Sequence, residues 1–188
     1  VMQKASENAG AAMAAVIGLG GEELISALQT IQGFIVPVNF NYPGQTVIAG
    51  DNAAIEKALD VLKSFGALKV VPLPVSTAFH TKYMDGASEE LYDAIKDYKA
   101  NNPSLLLYSN ATGEKVNEIA SLAQHLKTQM VSPVKWQTII ENIIKDGTDT
   151  FIEIGPSKTL CGFLKRIDKT VSALNVEDEK SLDITLNN

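Results

Sequence analysis

One histidine stands where chemistry is usually mounted. His80 lies in Pro72-Leu73-Pro74-Val75-Ser76-Thr77-Ala78-Phe79-His80-Thr81-Lys82-Tyr83-Met84, between the end of an apolar strand and the start of a helix. Strand ends that run into loops carry catalytic groups in α/β proteins. Imidazole, with an unperturbed pKa of about 6.5, moves protons near neutral pH. A base needs a nucleophile, however, and the chain has no G-x-S-x-G; Cys161 is its only cysteine. On these residues alone His80 is either a proton-transfer group or a packed histidine, and the chain reads as one half of an active site.

The other reactive side chains point elsewhere. His125, in Leu122-Ala123-Gln124-His125-Leu126, falls on the flank of a helix and reads as a surface or partly packed residue. Cys161 lies inside a helix beside Leu160, where a free cysteine behaves as a small core hydrophobe. Gly18-Leu19-Gly20-Gly21 lacks the third glycine of a dinucleotide fingerprint and reads as a tight turn. Asn39-Phe40-Asn41-Tyr42-Pro43-Gly44-Gln45 sets amides at a strand end, suited either to an amide-rich ligand or to a plain β-turn. No His/Cys cluster or close carboxylate group predicts a metal site.

The elements that position these residues come from the hydrophobic pattern. Residues 12 to 18 predict a strand, and Leu24, Ile25, Leu28 and Ile31 recur at helical spacing before Gly33. Phe34 to Asn41 alternates, with Val36, Val38 and Phe40 assigned to one face. Thr46 to Gly50 predicts a strand, Ile55, Leu59, Leu62 and Phe65 a helix, and Lys69 to Val75 a fourth strand. The order is β-α-β-β-α-β, the ferredoxin-like pattern. Beyond His80, Met84, Ala87, Leu91, Ile95 and Tyr98 predict one long helix. Leu105 to Tyr108 predicts a strand buried on both faces. Helices are expected over 119–130, from Ser132-Pro133 through Ile144, and over 160–167. Strands are expected at 151–154 and 171–176, before a loose acidic tail. Alternation of strands and helices argues a parallel sheet. With so few strands, that sheet is expected to expose apolar faces and an edge.

Composition narrows the classes. The chain has 188 residues, 45% hydrophobic and 20% charged, within the ordinary range of globular proteins. Its net charge is −6, and Arg166 is the one arginine among sixteen basic residues, so no basic patch suggests nucleic-acid binding. A lone cysteine allows no internal disulfide and fits a reducing compartment. No apolar run reaches the length of a membrane span.

Four blocks together resemble the malonyl-CoA:acyl-carrier-protein transacylase family, over residues 1 to about 176. They are Met2-Gln3 with Ala12-Met13-Ala14-Ala15-Val16-Ile17-Gly18; Asn39 through Gly50; Pro74-Val75-Ser76-Thr77-Ala78-Phe79-His80; and Ile154-Gly155-Pro156-Ser157-Lys158 with Leu160. The resemblance implies an α/β fold: an incomplete α/β-hydrolase-like large subdomain (1–6 and 76–188) with an inserted ferredoxin-like small subdomain (7–75). It implies ping-pong malonyl transfer from coenzyme A to the phosphopantetheine thiol of acyl carrier protein in fatty acid synthesis. The thioester is substrate, and no cofactor or metal is implied. His80 matches the catalytic histidine, and Gln129 the residue whose backbone carbonyl orients it. Asn39 and Asn41 match a turn near the bound thioester. Phe79 matches a malonyl-selective triplet that disfavours a methyl branch, worth roughly 1–3 kcal/mol.

The family's serine in G-H-S-x-G, its oxyanion-hole glutamine and its malonyl-binding arginine have no match in these residues. The chain is therefore expected to be a C-terminal portion, inactive alone, of a cytoplasmic, monomeric enzyme bound by neither membrane nor nucleic acid. Lys82, Lys158, Lys165 and Arg166 are candidate contacts for the acidic carrier protein. The alternatives are an acyltransferase fragment of a polyketide or fatty acid megasynthase, and a non-catalytic ferredoxin-like binding module.

Overall fold

The computed structural model describes residues 1–5 and 10–187. After a short helix α1 (Met2–Ala5), the chain runs β1 (Ala11–Ile17), α2 (Gly21–Gln29), β2 (Ile35–Tyr42), β3 (Gln45–Asp51), α3 (Asn52–Ser64) and β4 (Lys69–Pro72). The β-α-β-β-α-β order of the sequence reading is observed. The four strands form one antiparallel sheet in the order β2-β3-β1-β4. The proposed boundary between residues 6 and 7 lies outside the described residues.

Each face of this sheet has its own core. On one face Ala14, Val16 and Ile48 meet Leu24, Leu28, Ile55, Ala58 and Leu62 of α2 and α3. Leu24, Ile48 and Leu62 are fully buried, each stabilising the fold by about 1.5–3 kcal/mol. On the other face Met13, Val38, Val47 and Ala49 meet Ala78, with Leu73, Val75, Phe79 and Tyr83 packed around them. The segment bearing His80 is thus laid across the sheet.

Two irregularities in β2 change which residues face that segment. The register with β3 shifts between Pro37 and Asn39, and again between Phe40 and Tyr42. Asn39 pairs with Val47, a member of the core beneath Phe79, whereas Phe40 pairs with Thr46 on the opposite face. The expected face of Val36, Val38 and Phe40 is therefore corrected. A bulge inserts one residue and turns the following side chain over.

Beyond the sheet come a 3-10 turn (Lys82–Met84), α4 (Asp85–Ile95), α5 (Leu122–Val131), α6 (Trp136–Lys145), β5 (Thr150–Ile154), α7 (Thr159–Ile167), β6 (Ser172–Val176) and α8 (Glu179–Leu186). Met84, Ala87 and Met130 form a third core between α4 and α5, with Phe79 and Leu91 against it. β5 and β6 pair in parallel as a two-stranded sheet.

Several expectations need correction. Leu105 to Tyr108 forms no strand; only Tyr108 bridges Lys115, and Leu105 and Leu106 are 83% and 71% exposed. Among the described residues no strand lies beside them to satisfy a buried ladder. The tail is not loose, because Asp178 and Ser181 cap α8 reciprocally. β4 stops at Pro72, since Pro72 and Pro74 have no N–H to offer. α4 ends at Ile95 and leaves Tyr98 exposed. α6 begins at Trp136, and residues before it run beside β2 instead. No helix among the described residues is long and apolar enough to cross a membrane.

Candidate functional site

The backbone at His80 has φ 61°, the left-handed region that L-residues seldom occupy. Such conformations persist where surrounding structure fixes them. Here Thr81 does so. Its hydroxyl donates to the Ala78 carbonyl at 2.6 Å and accepts from the Tyr83 N–H at 3.2 Å. Its own carbonyl accepts from the Met84 N–H at 2.9 Å. One buried side chain thus brackets Phe79 and His80.

The ring of His80 turns toward α5. Its Nδ1 lies 3.3 Å from the Gln129 carbonyl oxygen. That carbonyl belongs to the last turn of the helix, where the i+4 N–H donors run out. A carbonyl oxygen can only accept, so this contact is a hydrogen bond when Nδ1 carries the proton, the tautomer that leaves Nε2 as the basic nitrogen. The helix end is itself held by the sheet. Val134 N–H donates to Val38 O at 2.7 Å, and Phe40 N–H donates to Val134 O at 2.9 Å, which bridges Asn39 to Val134.

The remaining candidates fall around this pair unevenly. Phe79 is half-buried between the sheet core and the α4–α5 core, next in chain to His80. Asn39 is brought to that face of the sheet by the bulge. The Asn41 side chain donates to Gln45 at 3.0 Å and so is engaged within the hairpin. Gly44, at φ 91°, follows Pro43 in that turn, the pattern of a type II turn.

Other sequence candidates sit apart from the imidazole. His125 lines a cleft of about 530 Å³ between α5 and the 109–121 loop, and His80 is not among its lining residues. Cys161 is buried and its Sγ donates to Leu174 O at 3.1 Å. Burial, followed by the adjacent Glu153 carboxylate, raises its pKa. Glu153 accepts from the N–H groups of Leu160 and Cys161 at 3.1 and 2.8 Å, capping α7. Burial opposes its ionisation, but these donors prevail and hold its carboxyl below 4.5. Lys82, Lys158, Lys165 and Arg166 are all exposed, with Lys82 4.2 Å from the Phe34 ring centroid and Arg166 5.8 Å from that of Tyr42. No group of three or more metal-ligating side chains occurs among the described residues.

Three contributors escape the motif reading: Thr81, Tyr83 and Asp51. The Tyr83 hydroxyl donates to Asp51 Oδ1 at 2.6 Å, and Asp51 Oδ2 accepts from the Phe34 N–H at 2.8 Å. Thr81 left a local signal as a threonine just before a helix, and Asp51 or Asn52 one as the expected cap of α3, although Asp51 stands at the N-cap without a side-chain capping bond.

Comparison with known proteins identifies the family. Residues 1–183 match the family described as acyl transferase domain. The chain is 37% identical over 185 residues to the malonyl CoA-acyl carrier protein transacylase of Haemophilus influenzae, covering 97% of this chain and 59% of that protein. With the Bacillus subtilis protein of the same name it shares 33% identity over 178 residues, covering 93% of this chain and 56% of that protein. The Clostridium perfringens transacylase crystal structure superposes with a TM-score of 0.93 at 38% identity, covering 99% of this chain and 59% of that one. A malonyl-transacylase solved in complex with a type II PKS acyl-carrier protein gives 0.92 at 35%, covering 100% and 62%. The chain thus spans less than two thirds of the length of these relatives. The match over nearly all its residues, together with the shared fold, places this chain in the acyl transferase domain family.

Proposed function

We propose that the complete protein transfers malonyl from coenzyme A to the phosphopantetheine thiol of an acyl carrier protein, and that this chain supplies the histidine half of a Ser/His site. The observation that carries the reading is the His80–Gln129 contact, which leaves Nε2 as the basic nitrogen. In the first step Nε2 takes the proton of a serine hydroxyl as its oxygen attacks the malonyl thioester carbonyl. The imidazolium then gives that proton to the departing coenzyme A thiolate, leaving a malonyl ester on the serine. In the second step Nε2 deprotonates the carrier's thiol, which attacks the ester, and the proton returns to the serine oxygen. A backbone carbonyl fixes the imidazole as a carboxylate does in a Ser-His-Asp triad.

The serine belongs to a part of the complete protein that these residues do not contain, since no G-x-S-x-G occurs in them. Exposed apolar surface supports a covering segment: Ile152 and Ile154 of β5 are 50% and 82% exposed, and Leu105 and Leu106 are 83% and 71% exposed. Parallel strands are ordinarily covered on both faces. We assign residues 76 onward to an α/β-hydrolase-like large subdomain and the four-stranded unit to a ferredoxin-like small one, with Phe79 and Asn39 facing the acyl group and Asn41 beside it. The chemistry suits the cytoplasm and calls for no metal or resident cofactor.

The test is the coding frame upstream of Val1, followed by assay of the encoded protein. The reading expects G-H-S-x-G in that frame and malonyl transfer lost on replacing His80. A frame without the serine overturns it and leaves a binding role.

A further inference from the structure

We propose that Thr81 and Tyr83 are positioning residues for His80, and that the Asp51–Tyr83 hydrogen bond couples the imidazole to the end of β3 in the four-stranded sheet. The proposal rests on the reading of His80 as the proton-transfer group. His80 holds φ 61° with a full side chain, a conformation that the neighbouring structure must enforce. Thr81, 4% exposed, does so from the chain itself by bonding to Ala78 on one side and Tyr83 on the other. That bracket is only as fixed as the 3-10 turn it ends in.

Tyr83 anchors the turn. Its hydroxyl is bound by Asp51 at the end of β3, and its ring lies 6.0 Å from that of Phe34, tilted by 51°. Asp51 is in turn held by the Phe34 N–H, and the Asp51 N–H donates to Phe34 O at 2.8 Å. Lys82 covers the Phe34 ring and attracts the Asp51 carboxylate. The path from sheet to imidazole is therefore Phe34, Asp51, Tyr83, Thr81, His80, each step a hydrogen bond or a peptide bond. The other side of the imidazole is fixed by Gln129, whose helix end is tied to β2 through Val134. Both supports of His80 thus end on the hairpin formed by β2 and β3. Movement of that hairpin relative to the 3-10 turn would change the ring's alignment.

The test uses the complete protein labelled with nitrogen-15 histidine. Long-range proton–nitrogen spectra at alkaline pH report the tautomer of each neutral imidazole, and the signals lost in His80→Asn are those of His80. The wild-type His80 ring is expected to carry its proton predominantly on Nδ1. Tyr83→Phe, which keeps the ring packing, and Thr81→Val are expected to lose that preference, so that the two tautomers become comparably populated. Thr81→Ser, which keeps the hydroxyl, is expected to retain it. Far-UV circular dichroism separates this from unfolding, and Tyr83→Phe decides if Thr81→Val unfolds. Wild-type spectra in folded Tyr83→Phe overturn the proposal while leaving the catalytic reading in place. A wild-type ring without the Nδ1 preference overturns the orientation by Gln129 and the proposal with it.

Discussion

The Nδ1 of His80 and the carbonyl oxygen of Gln129 lie 3.3 Å apart although forty-nine positions separate them in the chain. The acceptor is main chain, so the Gln129 side chain is dispensable to the contact. Gln129→Ala in the complete protein is expected to retain malonyl transfer within about threefold, a loss of under 1 kcal/mol in transition-state stabilisation. Steady-state kinetics checks this. A loss of a hundredfold would assign the role to the side-chain amide.

His80 stands in the left-handed region, where asparagine is also tolerated. His80→Asn is expected to keep the fold, with unfolding free energy within about 1.5 kcal/mol of wild type, the scale of one lost hydrogen bond. Urea denaturation measures it. A much larger loss would make His80 a structural residue first.

The Asp51–Tyr83 bond ties stability to pH at both ends. The Tyr83 hydroxyl, then the Phe34 N–H, hold the Asp51 carboxyl below 3.8, while the Asp51 carboxylate and burial hold the Tyr83 phenol above 10.0. Asp51, being lowered, contributes stability that is present above 3.8 and is lost as pH falls through its folded value. Tyr83, being raised, contributes stability that is present below 10.0 and is lost as pH rises through its folded value. Urea midpoints across both limbs should therefore fall less steeply in Tyr83→Phe than in wild type. Identical limbs in the two proteins would show the pair to be open in solution.

How far the residues themselves reveal this arrangement varies along the chain. The β-α-β-β-α-β unit was legible because Val16, Leu24, Ile48 and Leu62 repeat at strand or helix spacing and all face one core. His80 was legible from its place between strand and helix. The bulges in β2 were not, since Val36, Val38 and Phe40 keep an unbroken alternation while the ladder shifts beneath them. Nor was the Asp51–Tyr83 contact, which joins residues thirty-two positions apart and depends on tertiary packing. Leu105 to Leu107 reads as a core strand in sequence yet lies exposed, because burial depends on neighbours that a local pattern does not contain.

Gly50 is a close-approach position. A Cβ there would fall 2.8 Å from the Ile35 Cα and clash with the Phe34 carbonyl, main-chain atoms that cannot step aside. Gly50→Ala is expected to cost about 1–3 kcal/mol, read from denaturant unfolding. A neutral result would mean that the β2–β3 pairing is looser than its register implies.

Cys161 is expected to be unreactive in the folded chain. It is 8% exposed, and burial and Glu153 raise its pKa, so the thiolate that attacks disulfide reagents is scarce. Labelling should be slow natively and rapid in denaturant. Fast native labelling would reopen Cys161 as a nucleophile and compete with the serine reading.

The most direct measurement is malonyl transfer from malonyl-CoA to holo-acyl carrier protein by the complete protein, with His80 and with His80→Asn, alongside mass spectrometry of the enzyme. The account predicts transfer by the former, a fall of at least about a hundredfold in the folded variant, and a malonyl ester on a serine outside these residues. Undiminished transfer by His80→Asn, or malonyl carried on Cys161, would contradict it.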